Sequence, residues 1–159
     1  MFLVVLRRSG PEWKPDSEAA VRETLAQDPW SGTHLRVDTI DQWQRLYDEL
    51  GQPDRFGLTL DIGHCRCLEA QPVADCVRQV GAHLVNVQID DMRRGVHEHL
   101  EFGTGEIDFP PVLRALDEVG YRGLVAVELP RHSHAAPDVA ARSLDFLRAA
   151  HGIATKEAS

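Results

Sequence analysis

No stretch of this 159-residue chain approaches the roughly 20 consecutive apolar residues that a membrane-spanning helix needs. Its start, Met1–Arg8, is apolar and then basic, the reverse of a secretory signal, and its apolar core is short. The expected location is therefore cytoplasmic. Basic runs are also missing. Asp and Glu total 25 against 17 Lys and Arg, a formal charge of −8, so a nucleic-acid backbone is a poor partner. Cysteine is scarce: Cys65, Cys67 and Cys76 are the full set. An odd number with tight C-x-C spacing argues against a disulfide framework. Cys65 and Cys67 could hold a soft metal together with His64, but zinc sites usually show wider spacing and a second pair, which the sequence lacks. The simpler reading is reduced thiols packed just after a strand. The chain is also short for a complete (β/α)8 barrel, which takes about 250 residues. What remains is one domain or slightly more, 43% hydrophobic and 26% charged, ordinary values for a globular protein.

The second half is the more regular. Phe56–Ile62 (FGLTLDI) is a short apolar run that reads as a buried strand. Pro72–Val80 carries apolar residues at helical spacing, with Pro72 near the start. Leu84–Ile89 (LVNVQI) is a second strand, and Asp90–Asp108 a long polar segment expected to be a loop. Pro110–Val119 is a helix stopped by Gly120. Gly123–Leu129 (GLVAVEL) is a third strand, Pro130–Pro137 a loop, and Asp138–Ala150 a helix capped by Asp138, with a tail frayed from Ile153. In the first half, Phe2–Leu6 reads as a strand, Gly10–Asp16 as a loop, Ser17–Ala26 as a helix and Gln27–Gly32 as a turn. Thr33–Val37 is a candidate strand, and Asp38 or Thr39 caps a helix to Leu50. Alternating strands and helices predict an α/β fold with parallel strands and crossover helices.

Each apolar strand carries a polar residue at its C-terminal end: Asp61, Gln88 and Glu128. Active sites of α/β folds lie at that end. A carboxylate or amide in such a strand needs a partner, a proton or a metal. The structural alternatives are a helix cap for Asp61 and a loop-bonded amide for Gln88. Asp, Gln and Glu together offer only oxygen, which suits Mg²⁺ or Mn²⁺ better than zinc. His64 follows Asp61 by three residues and could reach the same pocket. Asp91–Glu106 (DMRRGVHEHLEFGTGE) has the composition of a substrate loop. There Arg93 and Arg94 could hold a carboxylate or phosphate, and His97 and His99 could bond hydroxyls. Gly103-x-Gly105 is too short for a dinucleotide fingerprint and reads as a plain turn. Arg131, His132 and His134 lie just beyond Glu128, either on the same rim or simply solvated.

LTLDIGH followed by VNVQIDDMRRGVHEHLEFGTGEIDFPPVLRALDEVGYRGLVAVEL resembles the sugar phosphate isomerase/epimerase family with the xylose-isomerase-like TIM barrel. The resemblance runs from about Thr39 to Leu147, the last three or four βα units. It implies a divalent metal held by Asp61, Gln88 and Glu128, with His64 contacting substrate and Glu128 also moving a proton. Most members have His where Gln88 stands; the hydroxypyruvate isomerase branch has Gln. Asn86 stands where that branch usually has His. The family's first metal-binding Glu has no counterpart in DPWSGTHLRVDT. MFLVVLRRSGPEW and AVRETLAQDPWSGTHLRVDTIDQW resemble the two ends of a YCII-related, ferredoxin-like protein, without the middle that carries its His and Asp pair.

The implied organisation is a YCII-like α+β fragment over 1–38, the C-terminal half of a (β/α)8 TIM barrel over 39–152, and a disordered tail over 153–159. The implied activity is metal-assisted proton transfer beside the carbonyl of a small polyhydroxylated substrate, by an isomerase impaired by the missing half. Half barrels expose strand edges, and a homodimer is one way to cover them. The alternatives are a non-catalytic binding or oligomerisation module, and a YCII-related activity.

Overall fold

The computed structural model describes residues 2–6, 35–54 and 56–157. In chain order these form β1 (Phe2–Leu6), β2 (Leu35–Val37), α1 (Ile40–Glu49), β3 (Phe56–Asp61), α2 (Ile62–Leu68), α3 (Val73–Val80), β4 (Leu84–Ile89), β5 (Asp91–Arg93), β6 (Val96–Leu100), α4 (Phe109–Glu118), β7 (Val125–Val127) and α5 (Ala136–Glu157). Short 3-10 turns occupy Gly81–His83 and Pro130–Ala135. The segments Gly10–Asp16, Ser17–Ala26 and Gln27–Gly32 lie outside the described residues, and with them most of the YCII-like stretch.

The main sheet has the order β2-β1-β3-β4-β7. β3, β4 and β7 are parallel, as strands joined by helical crossovers must be. β1 runs antiparallel to both β2 and β3, with Leu3 opposite Thr59 and Leu6 opposite Phe56. One face of the parallel strands is apolar. Leu58, Leu60, Val87 and Ile89 are fully buried, in one core with Val77 and Val80 of α3 and Val112 and Leu116 of α4. Each such side chain contributes about 1.5–3 kcal/mol by leaving water. The other face carries Thr59 and Asp61 beside Asn86 and Gln88 at matched register. In a closed barrel that face would point inward.

The helix ends follow their sequence signals. Thr39 caps α1: its Oγ1 accepts from Gln42 N–H at 3.2 Å, and Gln42 Oε1 accepts from Thr39 N–H at 3.3 Å, a reciprocal capping box. Ile40, Trp43 and Leu46 form the buried stripe of that helix. α4 ends at Gly120, whose φ of +69° lets Gly120 and Tyr121 donate to the carbonyls of Asp117 and Leu116.

Five expectations change. The segment Asp90–Asp108 is not a plain loop: it contains the β5–β6 ribbon. α2 follows β3 directly, with Asp61 as its N-cap. β7 is shorter than Gly123–Leu129, with β4 its one neighbour among the described residues. α5 starts at Ala136, because the 3-10 turn runs straight into it, so Asp138 lies in the first turn rather than at the cap. At its far end, the stretch expected to fray from Ile153 is helical through Glu157. Burial of Ala150 and Ala154 holds that end, and Arg114 donates to the Ala154 carbonyl at 3.4 Å.

Candidate active site at the strand ends

The parallel strands deliver their polar ends to one rim. Asp61 and Gln88 are register partners on β3 and β4. Glu128 N–H donates to the Ile89 carbonyl at 3.1 Å, which sets Glu128 just past the end of β7, level with the end of β4. Asp61 is buried; Gln88 and Glu128 are half-buried. Asp61 Oδ1 accepts from His64 N–H at 3.0 Å and its Oδ2 lies 3.5 Å from His64 Nε2. It therefore fills the capping role and still stands in the rim.

Charge on this rim is expensive. Burial pushes the Asp61 carboxyl up to about 7, and the charge of Glu128 adds to the shift. Asp90 follows β4 and was not singled out from the sequence. Burial, then the charges of Asp61, Glu128 and Asp91, push it up to about 8. Its carboxylate packs so closely on Gly63 that a Cβ there would sit 2.1 Å from Oδ1. Asp90 Oδ2 lies 2.7 Å from His99 Nδ1, without the alignment of a hydrogen bond. Three carboxyl groups gathered with so little compensating positive charge form a setting that suits a cation.

The β5–β6 ribbon brings His97 and His99 back over the first turn of α2. Two residues apart on β6, they share one face. One ring nitrogen from each of His64, His97 and His99 lies within 4.8 Å of the other two. His64 is buried, His99 half-buried and His97 exposed. Burial lowers the pKa of His99.

Asp91 has the opposite surroundings. Its Oδ1 accepts from Met92 and Ile107 N–H at 2.9 and 3.1 Å, and its Oδ2 from Gly103 and Gly105 N–H at 2.9 and 2.8 Å. A Cβ on Gly105 would meet Asp91 Oδ1 at 2.3 Å. The Gly103-x-Gly105 turn thus wraps a buried carboxylate.

The arginines expected at the substrate are tied to other groups of the protein. Arg93 donates to the Thr104 carbonyl at 2.8 Å, and Arg94 to the Glu69 carbonyl at 2.7 Å. Arg131 donates to Glu98 at 3.2 Å. His132 lies 3.6 Å from Glu101, and His134 is exposed on the 3-10 turn. The cysteines are all free thiols. Cys65 is fully buried in the core, where burial and the Cys76 thiol push its pKa up, and among the described residues no cysteine joins the histidine group.

This arrangement of parallel strands, crossover helices on one face and polar groups at the strand ends is that of a (β/α)8-barrel fragment. The family model described as xylose isomerase-like TIM barrel matches residues 7–150. The chain belongs to that family. The match begins within the segment compared with YCII-related proteins, and neither that comparison nor the hydroxypyruvate isomerase branch finds support in the matches. The rhizopine catabolism protein MocC of Rhizobium meliloti is 33% identical over 117 residues, 62% of this chain and 35% of that protein. L-ribulose 3-epimerase of Methylomonas sp. (strain DH-1) is 30% identical over 165 residues, 86% of this chain and 55% of the epimerase. The crystal structure of D-allulose 3-epimerase from Methylomonas sp. in complex with D-allulose superposes with a TM-score of 0.56 at 21% identity, covering 91% of this chain and 59% of that one. The chain thus spans about a third to three fifths of these relatives. Among the described residues, no helix is long and apolar enough to cross a membrane.

Proposed function

We propose that the rim supports metal-assisted proton transfer beside the carbonyl of a small ketose or related hydroxy-carbonyl compound, an isomerase or epimerase reaction. The observation that carries this reading is the convergence of Asp61, Gln88 and Glu128 on the ends of three adjacent parallel strands. Asp61, Gln88 and Glu128 would hold a Mg²⁺ or Mn²⁺ ion. Such an ion, when bound, polarises substrate oxygens and acidifies the neighbouring C–H. Glu128 takes that proton and returns it to an adjacent carbon or to the other face. His64, anchored by Asp61, offers an N–H to a substrate oxygen. His97, His99 and Arg131 line the approach. Arg93 and Arg94 act on the substrate mainly by fixing the loop that carries the histidines. The relatives that act on ketoses support this choice of substrate class.

The test is deuterium incorporation. Metal-loaded protein is incubated with D-allulose, D-fructose and L-ribulose in D₂O. The expected result is one deuterium beside the carbonyl, with the rate reduced about 100-fold or more in Glu128→Gln. Mn²⁺ calorimetry on wild type and Asp61→Ala runs in parallel, and binding is expected to be lost in the variant. Metal bound without exchange on any ketose leaves the binding-module reading standing. Exchange unaffected by Glu128→Gln removes the assigned base.

A further inference from the structure

We infer that Cys65 and Cys76 form a redox pair, which a peroxide converts to a disulfide joining α2 to α3. The two residues stand on separate helices, Cys65 on α2 and Cys76 on α3. Both are free thiols, 0% exposed, in one apolar core, and their side chains hydrogen-bond to each other. A disulfide shortens that existing contact between the sulfurs to about 2.05 Å. Cys67, at 6%, is the most exposed of the three cysteines.

Two features separate this pair from inert packing. The first is its asymmetry. The Cys65 thiol donates to the Cys76 sulfur and holds the Cys76 pKa below the ordinary thiol value, against burial and the charge of Glu69; the Gln71 amide acts in the same direction as Cys65. Burial, and then the Cys76 thiol, push Cys65 the other way. One sulfur gives up its proton more readily and the other keeps it, the division that an attacking and a resolving cysteine need. The second feature is position. Gln71 is half-buried in the connection between the helices, and its Nε2 donates to Gln79 Oε1 at 2.7 Å. The same side chain hydrogen-bonds the Cys76 thiol, so Cys76 lies one side chain below the surface. α2 and α3 are seven and eight residues long, and helices so short open locally more easily than core strands.

Peroxide supplies the oxidising equivalents. The Cys76 thiolate attacks one peroxide oxygen. The S–O bond forms, the O–O bond breaks, and the departing hydroxide takes up the proton that the Cys76 thiol released, leaving as water. The Cys65 sulfur then attacks the Cys76 sulfur. The S–S bond forms, the S–O bond breaks, and the hydroxide leaves with the Cys65 proton as a second water. Two thiols and one peroxide give one disulfide and two waters, a two-electron oxidation of sulfur. A small dithiol reverses it by exchange. Cys65 directly follows His64 on α2, the helix that Asp61 caps, so the bond ties down the helix that carries the rim histidine. The pair does not depend on the activity proposed for the rim; either can fail alone.

The experiment treats the reduced, folded chain with hydrogen peroxide and stops the reaction with catalase. Remaining thiols are blocked under denaturing conditions, and the products are mapped by mass spectrometry. The expected result is a Cys65–Cys76 cross-link, with a mass about 2 Da below that of the reduced protein, while Cys67 is recovered as a blocked thiol. Dithiothreitol restores all three thiols. Exposure alone predicts the opposite, with Cys67 reacting first. Cys67→Ser is expected to leave the rate of cross-linking within about 2-fold. Cys76→Ala is expected to slow oxidation of Cys65 at least about 10-fold, because burial keeps that thiol protonated. Preferential oxidation of Cys67, or a cross-link that forms only after the chain is unfolded in urea, overturns the inference. So does a Cys65 that oxidises at the wild-type rate in Cys76→Ala.

Discussion

Asp90 and Asp91 are neighbours in sequence, both are almost fully buried, and they live in opposite surroundings. Asp91 faces the loop at 101–107 and accepts four backbone N–H groups. Asp90 faces the histidines and the strand-end carboxyls, and among the described residues neither of its oxygens has an aligned donor. A carboxylate buried with a full set of amide donors holds a structure together. A carboxylate buried among other carboxylates and an imidazole costs free energy unless a proton or a cation joins it. One side of the hairpin is thus internally complete, and the other is waiting for something.

The largest expected effect falls on the complete side. Asp91→Ala removes a buried carboxylate that accepts from four N–H groups. It should cost about 3–5 kcal/mol, a drop in Tm of about 10–15 °C for a chain of this size. Thermal and urea unfolding check it. A loss below about 1 kcal/mol would mean that water or neighbouring groups replace the carboxylate readily, and the contrast with Asp90 would collapse.

The incomplete side should respond to pH, in a direction that follows from the raised carboxyls. An unfolded Asp releases its proton near pH 4, whereas folded Asp61 and Asp90 keep theirs to about 7 and about 8. The folded state therefore binds more protons across that window, and metal-free stability falls as pH rises from about 4 to 8. Each group contributes up to about 1.4 kcal/mol per pH unit, and their shared repulsion keeps the two from adding fully. Asp90→Asn should flatten the slope between pH 5 and 8 and stabilise the metal-free protein at pH 8 by about 1–3 kcal/mol. Urea titrations at several pH values measure it. A slope unchanged by the substitution would show that Asp90 is already compensated.

The strand-end carboxyls and amide were legible in the sequence because their strands were. Leu58, Leu60, Val87 and Ile89 belong to apolar runs too short for a helix, and the polar residue closing each run marks the strand's C-terminal end. α1 and α4 announced themselves through Thr39 and Gly120. The β5–β6 ribbon did not, because VHEHL lacks the apolar alternation of a strand packed on a core; the side chains it turns toward His64 are histidines. α2 is only seven residues long, too short to show a period. The antiparallel direction of β1 was not legible either, since an apolar run carries no arrow. For the site, His97 and His99 were readable as a pair two apart, but their meeting with His64 depends on the ribbon folding back over α2. The two adjacent aspartates look identical on paper. Only the path of the loop gives one of them four amides and sets the other among carboxyls and an imidazole.

The smallest expected effect tests whether the loop is held from within or from outside. Outside, Arg142 on α5 makes a bidentate pair with Glu101, at 2.9–3.1 Å. Arg142 is exposed and Glu101 half-buried, so two long groups lose rotamer freedom while water still screens their attraction. Inside, the buried Asp91 carboxylate reaches the amides of Gly103, Gly105 and Ile107. If the inner contacts set the loop, Arg142→Ala should cost under about 1 kcal/mol and leave Mn²⁺ affinity within about 2-fold. A larger change in affinity, with little change in stability, would show that α5 positions the ribbon. The two sides of the hairpin would then be coupled through Glu101, whose carboxylate also lies 3.6 Å from His132.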